Sequence, residues 1–203
     1  MAEPTRHRPA EERRSEAVET VIELCAEQDP ATVTTGAIAK RMKLSQAALF
    51  RHFPTKQAVW QAVAAWVAEQ LISRVAAVAD DTPSPLAGLE AMFLAHVAFV
   101  AERPGVPRLM LGELQRPAQG PARRVIEQAL ARYRARIEGL LRAGIDAGEL
   151  RDDLDVASAA VLFVGAIQGL VVQSLVTGEM EPARDQAPGI FAIFRQGIDV
   201  RES

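Results

Sequence analysis

At 203 residues the chain is long enough for one large domain or two small ones, and its 49% apolar but only 5% aromatic composition gives a core filled by Ala, Val, Leu and Ile. A single Cys excludes a disulfide framework and a Cys-based zinc site and fits a reducing cytoplasm. The formal charge is −3, from 23 Lys and Arg against 26 Asp and Glu, and the amino terminus MAEPTRHRPAEERR has no apolar run to serve as a secretory signal.

Residues 1–10, with Arg6, Arg8, Pro4 and Pro9, read as a flexible basic arm: either a disordered tail or an arm that touches the DNA minor groove, where Arg is favoured. Residues 11–28 are expected to form an amphipathic helix with Ala17, Val18, Val21, Ile22 and Cys25 on its apolar face, ended by Asp29-Pro30. Residues 30–60 then carry five cations, Lys40, Arg41, Lys43, Arg51 and Lys56, with no acid from Pro30 until Glu69. The rest of the chain keeps 18 cations against 26 acids, so this stretch is a local device for meeting an anion. Thr34 can cap a short helix with Ile38, Ala39 and Met42 inward, and Ser45 a second, Gln46 to Phe53, with Leu49 and Phe53 inward. Its other side offers Gln46, Ala47, Ala48, Arg51 and His52, where Gln can read adenine and Arg can read guanine or hold phosphate. Pro54 stops that helix and Thr55 caps the next, completing a helix-turn-helix pattern.

The run TTGAIAKRMKLSQAALFRHFPTKQAVW closely resembles the DNA-binding signature of the TetR (tetracycline-repressor-like) transcriptional regulators, in register over about 27 residues. The resemblance implies DNA contacts from Thr34, Thr35, Ser45, Gln46, Ala47, Phe50, Arg51, His52 and Lys56. Thr34, Ser45, His52 and Lys56 would hold phosphates, while Gln46, Ala47 and Arg51 would address base edges. Three positions depart from the family's habit. Lys43 stands in the turn where Gly is usual, costing about 1 kcal/mol if that residue takes φ > 0. Phe50 replaces a Tyr and Ala48 a Thr, which removes two familiar backbone contacts.

From Thr55 a long helix is expected to reach about Ala79, through Val59, Val63, Trp66, Val67, Leu71, Val75 and Val78. Being longer than a three-helix bundle needs, it would pass from a DNA-binding domain (11–56) into a second domain (57–203) as a lever. DDTPSP breaks the chain at 80–85, a helix follows over 85–102, then a short one through Leu109, Met110 and Leu114, and RPAQGP breaks it again at 116–121. The helix from Ala122 to about Asp146 carries Arg123, Arg124, Arg132, Arg134 and Arg142 on what reads as a solvated face. Residues 156–176 are uncharged and long enough to cross a bilayer, but Ser158, Gln168, Gln173 and Ser174 dilute them and no basic anchors flank them; a buried helix is expected instead. Gly165, Ala166 and Gly169 would allow close contact with a second copy, and a last helix, Ile190 to Val200, is too apolar for a free surface. These two helices, through Gly165, Gly169, Val172, Ile190 and Phe194, are read as a four-helix homodimer seam, which the resemblance also implies.

His7, His52 and His96 lie far apart without metal or triad spacing, so neither an enzyme nor a bound cofactor is expected. His96 is either a satisfied core histidine or part of a largely apolar ligand pocket with Trp66, Met92, Phe99, Met110, Tyr133 and Phe163. The expected protein is therefore all-α, with about nine helices: an amino-terminal helix-turn-helix domain and a larger ligand-binding and dimerisation domain. It would be a cytoplasmic, nucleoid-associated homodimeric repressor, released from a palindromic operator in double-stranded DNA by an unidentified small-molecule effector, with no membrane partner. The alternative is a DNA-binding interaction protein on the same scaffold, without such an effector.

Overall fold

The computed structural model describes residues 10–115 and 120–200, in which helices joined by turns and short irregular segments are the regular structure, apart from one isolated bridge, Leu150 to Asp199. The expected arm at 1–10 lies outside the described residues except for Ala10, and so does most of the break at 116–121. Among the described residues the helices are α1 (Ala10–Glu27), α2 (Thr35–Arg41), α3 (Gln46–His52), α4 (Lys56–Asp80), α5 (Pro85–Glu102), α6 (Gly105–Leu114), α7 (Pro121–Asp146), α8 (Val156–Thr177) and α9 (Glu181–Ile198).

Side chains set the helix starts. Thr34, Ser45, Thr55, Ser84 and Asp155 each accept from the backbone N–H three residues on, satisfying one orphan donor of the first turn. A 3-10 turn at Pro30–Thr32, held by Asp29, separates α1 from α2. α2 ends in a Schellman arrangement: Leu44 N donates to Ala39 O at 2.8 Å and Lys43 N to Lys40 O at 3.1 Å. That closure puts Lys43 at φ 55, the left-handed conformation that Gly adopts at little cost, so this turn holds strain of about 1 kcal/mol.

Two apolar clusters organise the chain, and the first crosses the boundary expected at residue 56. It joins Val18, Val21, Ile38, Leu49 and Phe53 of the amino-terminal helices to Val59, Val63 and Val67 of α4, and also to Phe99, Val106, Leu109 and Ile126. The second gathers Val75, Met92, Phe93, Tyr133, Ile137, Phe163, Phe191 and Phe194. Leu71, part-way along α4, touches both, so the long helix is a continuous rod through the two cores. Three helices, α4, α5 and α8, are long and apolar enough to cross a membrane by length and composition. Here α5 packs against both of the others.

The last helix starts at Glu181, nine residues before the expected start at Ile190. Pro182 fits its first turn, and Pro188 lies inside it. The inward stripe Ala183, Ala187, Phe191, Phe194 and Ile198 holds the helix through that proline. Its phase corrects one expectation about the seam. Phe194 is only 5% exposed, with its ring 5.6 Å from Phe163 and 5.8 Å from Phe191, whereas Ile193 is 71% exposed. Ile190 is half-buried against the second cluster. α8 is likewise apolar all round but buried on one side only: Val161, Leu162, Val172 and Val176 face outward.

Candidate nucleic-acid interface

α1, α2 and α3 pack on one another, with Leu49 of α3 and Phe53, the residue that ends it, fully inside. The inward set leaves Gln46, Ala47, Phe50 and Arg51, at spacings of one and four, exposed together on the opposite face; Ala48 and His52 flank it half-buried. Arg14 stacks on the Phe53 ring at 5.0 Å and so braces the back of α3.

Thr34 Oγ1 and Ser45 Oγ accept from Ala37 N and Ala48 N, both at 3.1 Å. A hydroxyl that accepts in this way still has its own proton to donate, so each keeps a donor for an outside acceptor. Thr35 is different. It is buried, and its hydroxyl accepts from Gln46 Nε2 at 2.7 Å, so it orients Gln46 across the turn instead of facing outward. Lys56 is half-buried with Nζ 5.7 Å from the Trp60 ring centre.

The cationic patch is smaller than the sequence suggests. Arg41 reaches back to α1 and makes a two-pronged contact with Glu27, at 3.0 and 2.5 Å, with Glu23 at 3.8 Å. Those hydrogen bonds hold the Glu27 carboxyl below the usual carboxylate range. Arg41 is therefore a brace between α1 and α2. Lys40, Lys43 and Arg51 stay exposed and make no ion pair among the described residues.

Cys25 is buried, and desolvation, with a smaller contribution from Asp29, pushes its thiol up to about 12; it is inert filling. On α7, Arg123 pairs with Glu127, Arg134 and Arg142 with Glu138, and Arg136 with Asp80, so this run is a solvated face laced by ion pairs.

In the second half of the chain the candidate pocket residues divide between the two clusters. Trp66, Phe99 and Met110 belong to the first, and Arg103 lies over the Trp66 and Phe99 rings at 5.7 and 5.0 Å. Met92, Tyr133 and Phe163 belong to the second. His96 meets the second cluster through Tyr133, with Nδ1 3.0 Å from Tyr133 Oη and the rings edge to face at 5.3 Å. Burial lowers the His96 pKa to about 4, so the imidazole is neutral, and it raises the Tyr133 phenol well above its ordinary value. The residue as a whole is half-buried.

Sequence reasoning missed the joint between the halves. Gly105 of α6 lies so close to α1 that an added Cβ would sit 1.9 Å from Ile22 O; Arg108 Nη1 donates to Ala26 O at 2.7 Å; and Gly112 lies beside Pro30. The Pro104-Gly105 pair was the available signal, but it reads equally well as simple punctuation.

Comparison with known proteins agrees with this arrangement. Residues 18–63 match the family model described as bacterial regulatory proteins, tetR family, and residues 112–188 match the tetracyclin repressor-like C-terminal domain, between them more than half of the chain. The nucleoid occlusion factor SlmA of Aliivibrio fischeri (strain MJ11) is 28% identical over 162 residues, covering 77% of this chain and 81% of that protein. Two solved structures share the fold. The ketosteroid transcriptional regulator KstR2 of Mycobacterium tuberculosis has a TM-score of 0.74 at 24% identity, covering 93% of this chain and 96% of that one. The transcriptional regulator FadR from Bacillus subtilis, in complex with stearoyl-CoA, has a TM-score of 0.80 at 19% identity, covering 91% and 98%.

Proposed function

This chain belongs to the tetR family of bacterial regulatory proteins and is a DNA-binding transcriptional regulator, and on that premise we propose that it works as a homodimeric repressor of a palindromic operator. The observation that carries the reading is the exposed face Gln46, Ala47, Phe50 and Arg51 on a firmly seated helix, in a stretch without an acid from Pro30 until Glu69. Set in the major groove, that face meets base edges while Thr34, Ser45, His52 and Lys56 contact phosphates. The seam joining two copies is the outward side of α8 and α9: Val161, Leu162, Val172, Val176 and Ile193, with open space above Gly165 and Gly169. A DNA target puts the protein with the nucleoid, in the cytoplasm. Selection of bound fragments from a random duplex pool tests the reading directly. A recovered palindrome supports it; no enrichment in dilute salt refutes it.

The effector is a largely apolar small molecule bound near His96 and Tyr133, where one polar pair lies amid apolar side chains of α5 and α7. The stearoyl-CoA complex of the structurally similar FadR makes long-chain acyl thioesters the first class to test. Binding would act by shifting α4 and α6 against the amino-terminal helices, and a 100-fold preference for one state corresponds to about 2.7 kcal/mol of coupling. Titration followed by Trp66 fluorescence and by operator release tests this arm.

A second reading is favoured by the likeness to SlmA, a nucleoid occlusion factor: a DNA-bound interaction protein with no small-molecule effector. Operator binding that is indifferent to every acyl thioester and steroid tried, together with retention of a protein partner on operator DNA, would decide for it.

A further inference from the structure

Phe50 is 39% exposed, and it is the one large exposed hydrophobic residue among the described part of the amino-terminal 80 residues; the others lie on α6 to α9 and the segment after α9. It belongs to neither apolar cluster, because Leu49 and Phe53 already fill the space behind α3. Part of the ring is covered by its neighbours on the chain, but no core needs the 39% that stays in water, and the surroundings of that exposed part say what it meets. Gln46 lies one turn back on the same face with its amide held by Thr35, Ala47 is beside it, and Arg51 follows. Lys40 and Lys43 are exposed nearby in sequence on the preceding helix and turn.

We propose that Phe50 is a specificity-determining residue that reads the C5-methyl groups of thymine in the major groove. This rests on the DNA-binding reading above. The face is cationic and acid-free, which suits a duplex. The phosphate backbone and the donor and acceptor edges of the bases offer nothing to a ring with no polar atom. The thymine methyl is the apolar group that the major groove presents, and it is the group aliphatic and aromatic side chains contact there. Phe50 and Ala47 therefore form an apolar strip between two polar readers, Gln46 and Arg51. The half-site must then hold thymine opposite the strip and an adenine or guanine edge within reach of its neighbours. Each buried methyl contributes about fourfold in affinity, so a site altered in both halves loses about fifteenfold.

The test uses the full-length protein and the duplex it selects from a random pool. Each thymine of the recovered site is replaced in turn by deoxyuridine, which lacks only the methyl and keeps its base pairing. At one or two positions per half-site the replacement should weaken wild-type binding about fourfold, and Phe50→Ala should bind the thymine and deoxyuridine duplexes equally. Because the ring is partly covered, Phe50→Ala should melt somewhat lower but stay folded at the assay temperature, which a melting curve checks before binding is compared. Tolerance of deoxyuridine at every position overturns the inference while leaving DNA binding intact. Sensitivity that persists in Phe50→Ala assigns the methyl to Ala47 and equally overturns it, as does a loss from Phe50→Ala that is the same on random duplex. Failure to select any sequence removes this inference and the reading beneath it together.

Discussion

Arg108 Nη1 donates to Ala26 O at 2.7 Å, which ties α6 to the last turn of α1 across 82 positions of chain. The carbonyl it caps is one of the orphan acceptors at a helix end, and Gly105 sets the two backbones against each other beside it. Arg108→Met keeps the stem and removes the bond, and should cost about 1.5 kcal/mol in denaturant unfolding. Gly105→Ala leaves no room for its own Cβ and should cost about 2 kcal/mol or more as α1 is pushed aside. Both should also weaken the effect of an effector on operator binding, because α6 would then hold α1 less firmly. Unchanged stability in both variants would mean that the joint carries no load.

Gln46 and Lys56 should fail differently. Gln46 is exposed on the reading face with its amide held in one place by Thr35, so Gln46→Ala should relax sequence preference with little change in affinity for random duplex. Lys56→Ala should weaken all sequences alike and reduce the slope of log affinity against log salt by about one. Binding isotherms at several salt concentrations, on selected and random duplexes, separate the two. Equal losses of specificity would end the division of labour.

His96 gives the fold a dependence on pH. Burial holds its folded pKa down, to about 4, below the ordinary value of about 6.5, so between these limits the unfolded chain binds a proton that the folded one disfavours. Stability is fully present above about pH 6.5 and is lost as the pH falls toward 4. His96→Gln can keep a hydrogen bond to Tyr133 without titrating. The stability advantage of the wild type over this variant should therefore shrink by about 3 kcal/mol from pH 7 to pH 4 in matched urea melts. A pH-independent difference would show that the ring is already hydrated enough to protonate in place.

Lys43 shows how far local chemistry could be read in advance. A turn of that length after α2 demands a left-handed residue, and the structure puts Lys43 at φ 55. Lys43→Gly should raise stability by about 1 kcal/mol and remove one cation from the DNA face. Caps, helix order and the reading helix were legible because they depend on residues within four positions of one another: Thr34, Ser45 and Thr55 are where the hydroxyls had to be. What depends on distant partners was not legible. Arg41 counted as a cation until Glu27 proved to hold it, Thr35 as a DNA contact until it proved buried against Gln46, and Gly105 as punctuation until α1 lay against it.

The phase of α9 belongs with those distant effects, and it turns one expectation into a sharper experiment. Phe194 and Ile193 are adjacent and similarly apolar, but the helix beginning at Glu181 sends the first inward to Phe163 and Phe191 and the second out into solvent. On α8, Val176 at 82% exposure and Val172 continue the outward side, and a Cβ at Gly169 would meet nothing within 4 Å. Phe194→Ala should therefore cost about 3 kcal/mol or more by opening a cavity among the rings. Ile193→Glu and Gly169→Glu should leave the monomer fold intact, since neither position is packed within the chain. If two copies meet on this side, each places a charge in an apolar seam and its partner's symmetric charge opposite, so sedimentation should show monomers. Such monomers should also lose operator binding, because a palindrome is read by two helices whose separation the seam fixes. A glutamate variant at Ile193 that still sediments as a dimer would place the seam elsewhere and leave the outward valines without a role.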